Sequence, residues 1–585
     1  ALTFLLYPAR RGAGAARRGV APLDWALIAA VTVALGWPLL DAADFPYRAA
    51  TPTTVDLALG AATILLALEA TRRTTGWMLP GTAALFILYA YLGPLLDLVG
   101  LGAIAHRGYY LDRLVGILYM TLDGIFGTPL DVASSYIILF ALYGAVLQAS
   151  GAGAFFLDWS LAVMGRSGAG AAPGRAVTAA GFLLGTVSGS GVATTVTLGS
   201  VSWPLLRRAG YTPEVGGAIL SAAGIGAILS PPTLGAAAFL IAEFLQISYG
   251  RVLVMASVPT LLYYLSIWLM IEADSRRMGT RGTVPGAANV WELTRRGWYH
   301  WASLGAIVVL LALGVSAFRA VFWATLAAAA LSYARRDTAL GPRRLLGTLE
   351  AGGRGVLSVA ATTATAGIIV GVVTLTGLGL KLAGIIVALA GGRVAPTVLF
   401  AALAVWVLGL AVPVTASYII AAVMIAPALT QVGIPAVAAH MFIFYYAVLS
   451  EVSPPTALSP FAAAALTGGN AFRTMMLTWK YTLPAFLVPF VFTLSREGLG
   501  ILLQAPLADV LRASFTAALG VAALAVALGG WLLRAALPAE RAVAGVAGLL
   551  LFYPHRATDA IGLALLALVA GAHVARVKRH RTPSF

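Results

Sequence analysis

The chain has 585 residues, 60% hydrophobic and 10% charged. A soluble domain carries about 25% charged residues, so soluble enzymes, disordered chains and nucleic-acid binders are excluded, and lipid is the expected solvent. The net charge of +16 sits in short loops between apolar runs, where it orients helices and does not point to nucleic acid as a partner.

A spanning helix needs roughly 20 apolar residues, and the apolar segments leave room for about 14 to 17 spans and half-spans. The predicted fold is an all-α polytopic membrane protein. Such a number suits a transporter, a channel or a large intramembrane enzyme.

Arg10, Arg11, Arg17 and Arg18 precede the first long apolar run and predict a cytoplasmic N-terminus, with no cleavable signal peptide legible. Apolar segments 25–40, 55–70 and 78–96 follow, and Arg72 and Arg73 close the second on the inner side. A polar stretch with His106, Arg107, Asp112 and Arg113 leads to segments 114–126 and 134–149. From about 177 to 270 the runs shorten and are broken by Gly, Ser, Thr and Pro. A charged connector occupies 272–296. Segments 301–313 and 321–333 end in Arg335, Arg336, Arg343 and Arg344, which predicts an inside-to-inside hairpin. A second broken region runs from 353 to 494, and the tail leaves room for three or four more spans. Arg576, Lys578, Arg579, His580 and Arg581 predict a cytoplasmic C-terminus and hence an even span count.

The two broken regions share a register. Ser230-Pro231-Pro232-Thr233 returns as Ser453-Pro454-Pro455-Thr456, 223 residues on. At the same spacing Pro204 meets Pro427, Gly210 meets Gly433, Ala193 meets Ala416 and Thr194 meets Ser417. Matches at helix-breaking and small polar positions predict an internal structural repeat.

Paired prolines break a helix because they lack N–H donors and clash with the preceding turn. Each motif therefore predicts two half-helices flanking an unwound stretch: 217–229 and 234–245, then 438–451 and 457–466. Ahead of each lies a second interrupted segment. The first is Gly185-Thr186-Val187-Ser188-Gly189-Ser190-Gly191 and the second Gly409-Leu410-Ala411-Val412-Pro413-Val414-Thr415-Ala416-Ser417. Arms too short to span around a polar tip predict re-entrant hairpins. Unwound backbone at membrane depth persists only inside protein or beside a wet cavity, and matched broken helices point to a secondary transporter's site. Hydroxyls and freed carbonyls are hard oxygen ligands for a small cation. Close packing of small residues is the competing reading of one such run, and the pairing of two favours transport.

Glu451 precedes Ser453-Pro454-Pro455, where a carboxylate must be paired, hydrated or protonated. Its counterpart at the repeat spacing is Ile228. Glu451 is thus a candidate proton carrier. Glu243 and His440 are read as interfacial, Asp123 and Asp131 as solvated caps, and Lys381 as a cation that snorkels or meets a lipid headgroup rather than a ligand. With no cysteine and no closely spaced ligand set among six histidines, no transition metal and no cofactor is expected, and no catalytic residue is assigned. Ser188 or Ser190 as an intramembrane nucleophile lacks an evident base nearby in sequence. A channel is disfavoured because channels gather identical subunits around a filter.

Together these motifs resemble the membrane component of tripartite ATP-independent periplasmic (TRAP) transporters. The resemblance rests on residues 185–193, on Pro204 through Gly210-Tyr211-Thr212-Pro213-Glu214, on 230–239, on Gly409 through Tyr418, and on 453–457. It is closest to the TAXI type, in which small and large membrane subunits form one chain. It implies small-subunit-like helices over 1–115, a large-subunit-like region over 116–495 and extra helices over 496–585. Repeat one would cover about 116–275 and repeat two about 345–495. It further implies inverted repeats, an elevator motion, a bacterial inner-membrane location and a TAXI-type periplasmic substrate-binding protein that delivers a small organic anion, a carboxylate. Transport would be driven by Na+ or H+ without ATP. Carried over residue by residue, the ion-site candidates are Ser188, Gly189, Ser190, Gly191, Ser230, Pro231 and Thr233, then Pro413, Thr415, Ser453, Pro454 and Thr456. Ser190, Thr194, Thr233, Thr415, Ser417 and Thr456 would face substrate. Glu451 departs from the sodium-coupled pattern, and both ions stay open.

Overall fold

The computed structural model describes residues 1–9, 20–165, 170–282, 289–410, 412–454 and 457–579. Arg10, Arg11, Arg17, Arg18, Ala411, Pro455, Thr456, His580 and Arg581 lie outside the described residues. Among the described residues no strand forms, and the chain is an all-α polytopic membrane protein. Nine of the described helices are long and apolar enough to cross a membrane, from Pro22–Leu40 to Arg556–Arg579.

The chain divides into two compact units, 1–141 with 350–436 and 142–349 with 437–585. In the first unit, Asp56 is buried near the start of Thr54–Thr75 and accepts from Trp37 Nε1 at 2.8 Å and Thr53 Oγ1 at 2.7 Å, with Arg48 Nε at 3.2 Å. Thr71 Oγ1 donates to Ala361 O at 2.8 Å and Tyr109 OH to Leu375 O at 2.8 Å, tying the N-terminal helices to Pro342–Thr376. Lys381 Nζ caps the Ala105 carbonyl at 2.6 Å.

Two expected spans are shorter than read. Segment 78–96 forms Met78–Tyr91, and a separate short helix Leu95–Leu98 follows Gly93-Pro94. Pro94 has no N–H to continue the ladder, and a Cβ on Gly93 would lie 2.4 Å from the His106 ring. Segment 114–126 forms Leu111–Met120 and then turns back, so that a Cβ on Gly124 would meet Leu118 O at 2.4 Å. The next candidate span, Thr128–Ala149, accordingly starts earlier than 134.

The second unit begins its broken region with α1 (Ala172–Ser188), α2 (Gly191–Ala209), α3 (Pro213–Ile225), α4 (Ala237–Phe244) and α5 (Tyr249–Met278). Thr212 caps α3, with Pro213 and Glu214 in the first turn, an arrangement suited to a helix start. Gly210 ends α2 at φ +97°, a left-handed position that favours glycine.

The elements 223 residues on are α6 (Val394–Gly409), α7 (Val414–Met424), α8 (Ala426–Gln431), α9 (Ala436–Val448), α10 (Leu458–Thr467) and α11 (Ala471–Phe486). At that spacing α3 and α9 share both boundaries, and a single 3-10 turn follows each, Gly226–Ile228 and Leu449–Glu451. Pro204 stays inside continuous α2, whereas Pro427 sits in the first turn of α8. A first-turn proline sacrifices no helical hydrogen bond, so the chain breaks at Ile425 instead.

α5 and α11 are joined by a charged cluster. Lys480 Nζ lies 2.7 and 2.8 Å from the Asp274 carboxylate oxygens, Tyr481 OH donates to the same group at 2.8 Å, and Ser266 Oγ donates to Tyr481 O at 2.7 Å. The tail forms Leu507–Gly529, Pro538–Leu551 and Arg556–Arg579, pinned where Glu540 meets His573 Nδ1 at 3.0 Å and Arg576 at 2.9 Å.

Candidate functional site

The first candidate set assembles within the second unit. α1 ends at Ser188, Gly189 turns at φ +59°, and Ser190 caps α2, its Oγ accepting from Ala193 N at 3.4 Å. The tip rests on the broken helix. A Cβ on Gly189 would lie 3.0 Å from Leu234 O and 3.4 Å from Thr233 O, so glycine serves both the left-handed turn and the close approach. Thr233 Oγ1 donates to Gly185 O at 3.1 Å, across from the break to the hairpin arm. Ser188 and Pro231 are half-buried, Gly191 and Thr194 buried, and Ser190 exposed.

The break is held by α5, which sequence reasoning did not bring in. Ser230 Oγ donates to Gly226 O at 2.8 Å and lies 3.1 Å from Tyr264 OH. Thr260 Oγ1 donates to Leu229 O at 2.6 Å, Tyr249 OH to Pro232 O at 2.9 Å, and Gly235 N to Ile228 O at 2.7 Å. The carbonyls of Ile228, Leu229 and Pro232 thus each accept one hydrogen bond. The second lone pair of each carbonyl keeps them available as ligands. Nothing in the sequence of α5 singled out these hydroxyls within a long apolar helix.

The second set is divided between the units. Pro413 is the N-cap of α7, Thr415 is half-buried, and Ser417 is buried with no hydrogen-bond partner for its Oγ; all three belong to the first unit. Ser453 is buried and Pro454 exposed, both in the second unit. Thr456 lies outside the described residues.

Glu451 closes the 3-10 turn after α9 and is half-buried. Its Oε2 accepts from Ser459 Oγ at 2.7 Å, across the second break. A Cβ on Gly191 would lie 3.3 Å from the same Ser459 Oγ, so the hairpin tip and the carboxylate share a neighbour. Ser459, in the first turn of α10, was missed because the break interrupts any periodic relation to Glu451. Trp479 Nε1 donates to Val452 O at 3.0 Å, next to Glu451.

This oxygen-rich turn inside apolar helices can hold a small cation or a proton and can face an anion. The family model for the tripartite ATP-independent periplasmic transporter, DctM component, matches residues 62–499. The chain belongs to that family. It is therefore a TRAP permease of the large-component type, a secondary transporter by family and not a member of an enzyme family. No curated protein matches the chain. The match takes in both broken regions and stops ahead of the last three helices.

Proposed function

We propose that this TRAP permease is a fused, TAXI-type chain of the bacterial inner membrane with both termini in the cytoplasm. Residues 1–115 act as the small-subunit part, 116–495 as the transport and scaffold region, and 496–585 as added helices. A periplasmic substrate-binding protein delivers a small carboxylate. The two broken regions work as inverted repeats, and the hairpins and half-helices move as an elevator.

The observation that carries this reading is the meeting of hairpin tip, broken helix and carboxylate in one unit: Thr233 on Gly185, and Ser459 on Glu451. Among the described residues no cation pairs with Glu451. A charged carboxylate at membrane depth needs a counter-charge, and the coupling ion is the one that transport supplies. Glu451 is proposed to take a proton when substrate binds and to release it on the inner side. The oxygen-only character of Ser188, Ser190, Ser230 and Thr233 favours sodium as the second reading, at the first set. Substrate is proposed to lie against Ser190, Thr194 and Thr233.

The test is uptake of labelled C4–C5 carboxylates by liposomes containing the permease and its binding protein, without ATP. Proton-driven uptake that is lost in Glu451→Gln supports the proton reading. A sodium requirement that survives in Glu451→Gln transfers coupling to the hydroxyls. Uptake with neither gradient nor binding protein would overturn the tripartite reading and favour a channel.

A further inference from the structure

The last three helices lie beyond the family match, and they build a basic cavity of their own. Leu507–Gly529 and Arg556–Arg579 are both long and apolar enough to cross a membrane. The loop 530–537 leaves the end of the first and meets the last turn of the second, where Arg576 stands. Gly530 starts this loop at φ +68°. Trp531 pairs with Ala535 in an isolated β-bridge, Leu532 N donates to Arg534 O at 3.1 Å, and Ala536 N to Gly530 O at 3.0 Å. Arg576 Nη2 donates to Ala535 O at 2.8 Å. His573 is fully buried and accepts from Arg534 N on Nε2 at 3.3 Å. Its proton then sits on Nδ1, 3.0 Å from Glu540 Oε2. A buried histidine in an apolar helix thus fixes the backbone at Arg534.

Arg534, Ala535, Arg576 and Val577 line an open cavity of about 300 Å³, against about 15 Å³ needed for one water. Its charge is positive. Glu540 lies 2.9 Å from Arg576 Nη2 and balances one of the two arginines. The Arg534 side chain is exposed and makes no hydrogen bond or ion pair among the described residues. Two further arginines border the loop. A Cβ on Gly530 would lie 3.4 Å from the Arg541 guanidinium carbon, and Arg541 bonds only the Ala527 carbonyl. Arg276, paired with Glu272, reaches Leu532 O at 3.4 Å. On either side of Arg534, Leu533 and Leu537 are 52% and 46% exposed.

We propose that this cavity holds the phosphate group of an anionic membrane lipid, with Arg534 and Arg576 as its donors. A guanidinium presents a planar fork that matches phosphate oxygens. Arg576 Nη2 gives its hydrogens to Ala535 O and Glu540, which orients the rest of its fork before any ligand arrives. The ends of two spanning helices lie at headgroup depth, and basic pockets between helices at that depth suit anionic headgroups. Leu533 and Leu537 decide for lipid over a free phosphate ion, because exposed leucines beside the arginines add contact only to a ligand with an apolar part.

The test mixes the purified full chain in neutral detergent with equal amounts of phosphatidylglycerol and phosphatidylcholine, and bound lipid is read by native mass spectrometry. The wild-type chain is expected to retain phosphatidylglycerol preferentially. Arg534→Gln is expected to weaken that binding about tenfold, as loss of a charge-assisted hydrogen bond implies. Because this side chain is exposed and unbonded, the variant is expected to keep the wild-type thermal midpoint. Arg277→Gln removes the same charge from an exposed arginine outside the cavity, and binding should stay within about twofold. Equal losses in the two variants would mean a general positive field and overturn the site. A wild-type chain with no preference between the two lipids overturns it as well. Labelled inorganic phosphate is the third arm: binding that depends on Arg534 and is not displaced by phosphatidylglycerol would assign the cavity to a soluble anion and overturn the lipid.

Discussion

The two broken regions share a frame and differ in chemistry. α3 and α9 have the same length, the same following turn and the same double proline beyond it. Yet the turn ends in buried Ile228 in one and in Glu451 in the other. The first break is closed by neutral hydrogen bonds, from Thr260, Tyr249 and Thr233 to backbone carbonyls. The second keeps an ionisable group beside its break, satisfied by one hydroxyl. A backbone that unwinds at membrane depth needs its polar groups answered, and the two halves answer differently. One break is closed by neutral donors, and the other sets a carboxyl beside a hydroxyl.

The frame common to both halves can be broken where α5 meets α11. Asp274 and Lys480 are both largely buried, with Tyr481 completing the cluster. Removing one member of a buried pair leaves an uncompensated charge and costs about 3–5 kcal/mol. Asp274→Ala is expected to lower the thermal midpoint of the detergent-solubilised protein further than any single substitution at either break, and Asp274→Ala with Lys480→Met to recover much of that loss. A midpoint unchanged in the single variant would mean that the two helices are held by packing alone.

The chemical difference is removed by Glu451→Gln. Gradient-driven uptake is expected to fall by about 100-fold, worth about 2.7 kcal/mol, while exchange persists. Ile228→Val, at the matching position, should leave uptake within about twofold. Equal losses in the two variants would show that the turn matters for its shape and not for its carboxylate.

Hairpin one also demands a small residue that hairpin two does not. A Cβ on Gly185 would lie 2.6 Å from Ala227 Cα and 3.1 Å from Ser230 Oγ, whereas Leu408 occupies the matching place in α6. Because the nearest atom is backbone, Gly185→Ala is expected to destabilise by about 1–3 kcal/mol and to slow uptake through displacement of the break. Chemical unfolding of the purified variant checks it.

The helical class and the breaks were legible because they depend on local properties: apolar run length, double prolines, glycine among hydroxyls. The boundary of α3 and the cap at Thr212 follow from residues adjacent in sequence. What holds the break was not legible. Tyr249, Thr260 and Tyr264 act across 17 to 34 residues, and their donors look like ordinary core positions in an apolar helix. The spans at 78–96 and 114–126 were overestimated for a related reason. Apolar composition reports lipid compatibility, but Gly93-Pro94 and Gly124 bend the chain through contacts with His106 and Leu118 that composition does not carry.

The smallest expected effect tests how closely Glu451 depends on its one hydroxyl. Ser459 Oγ donates to Oε2 at 2.7 Å from the first turn of α10, so it holds the carboxyl toward the Gly191 end of the hairpin. A hydrogen bond to a charged group is worth about 1.5–3 kcal/mol and a neutral one about 1 kcal/mol. If Glu451 spends the slow part of the cycle protonated, Ser459→Ala forfeits the smaller figure, and uptake falls about fivefold. Ser459→Thr, which keeps the hydroxyl, should restore most of it. A loss near that of Glu451→Gln would instead mean that the carboxylate is charged when the slow step occurs, and that the second break is held by ion rather than by proton.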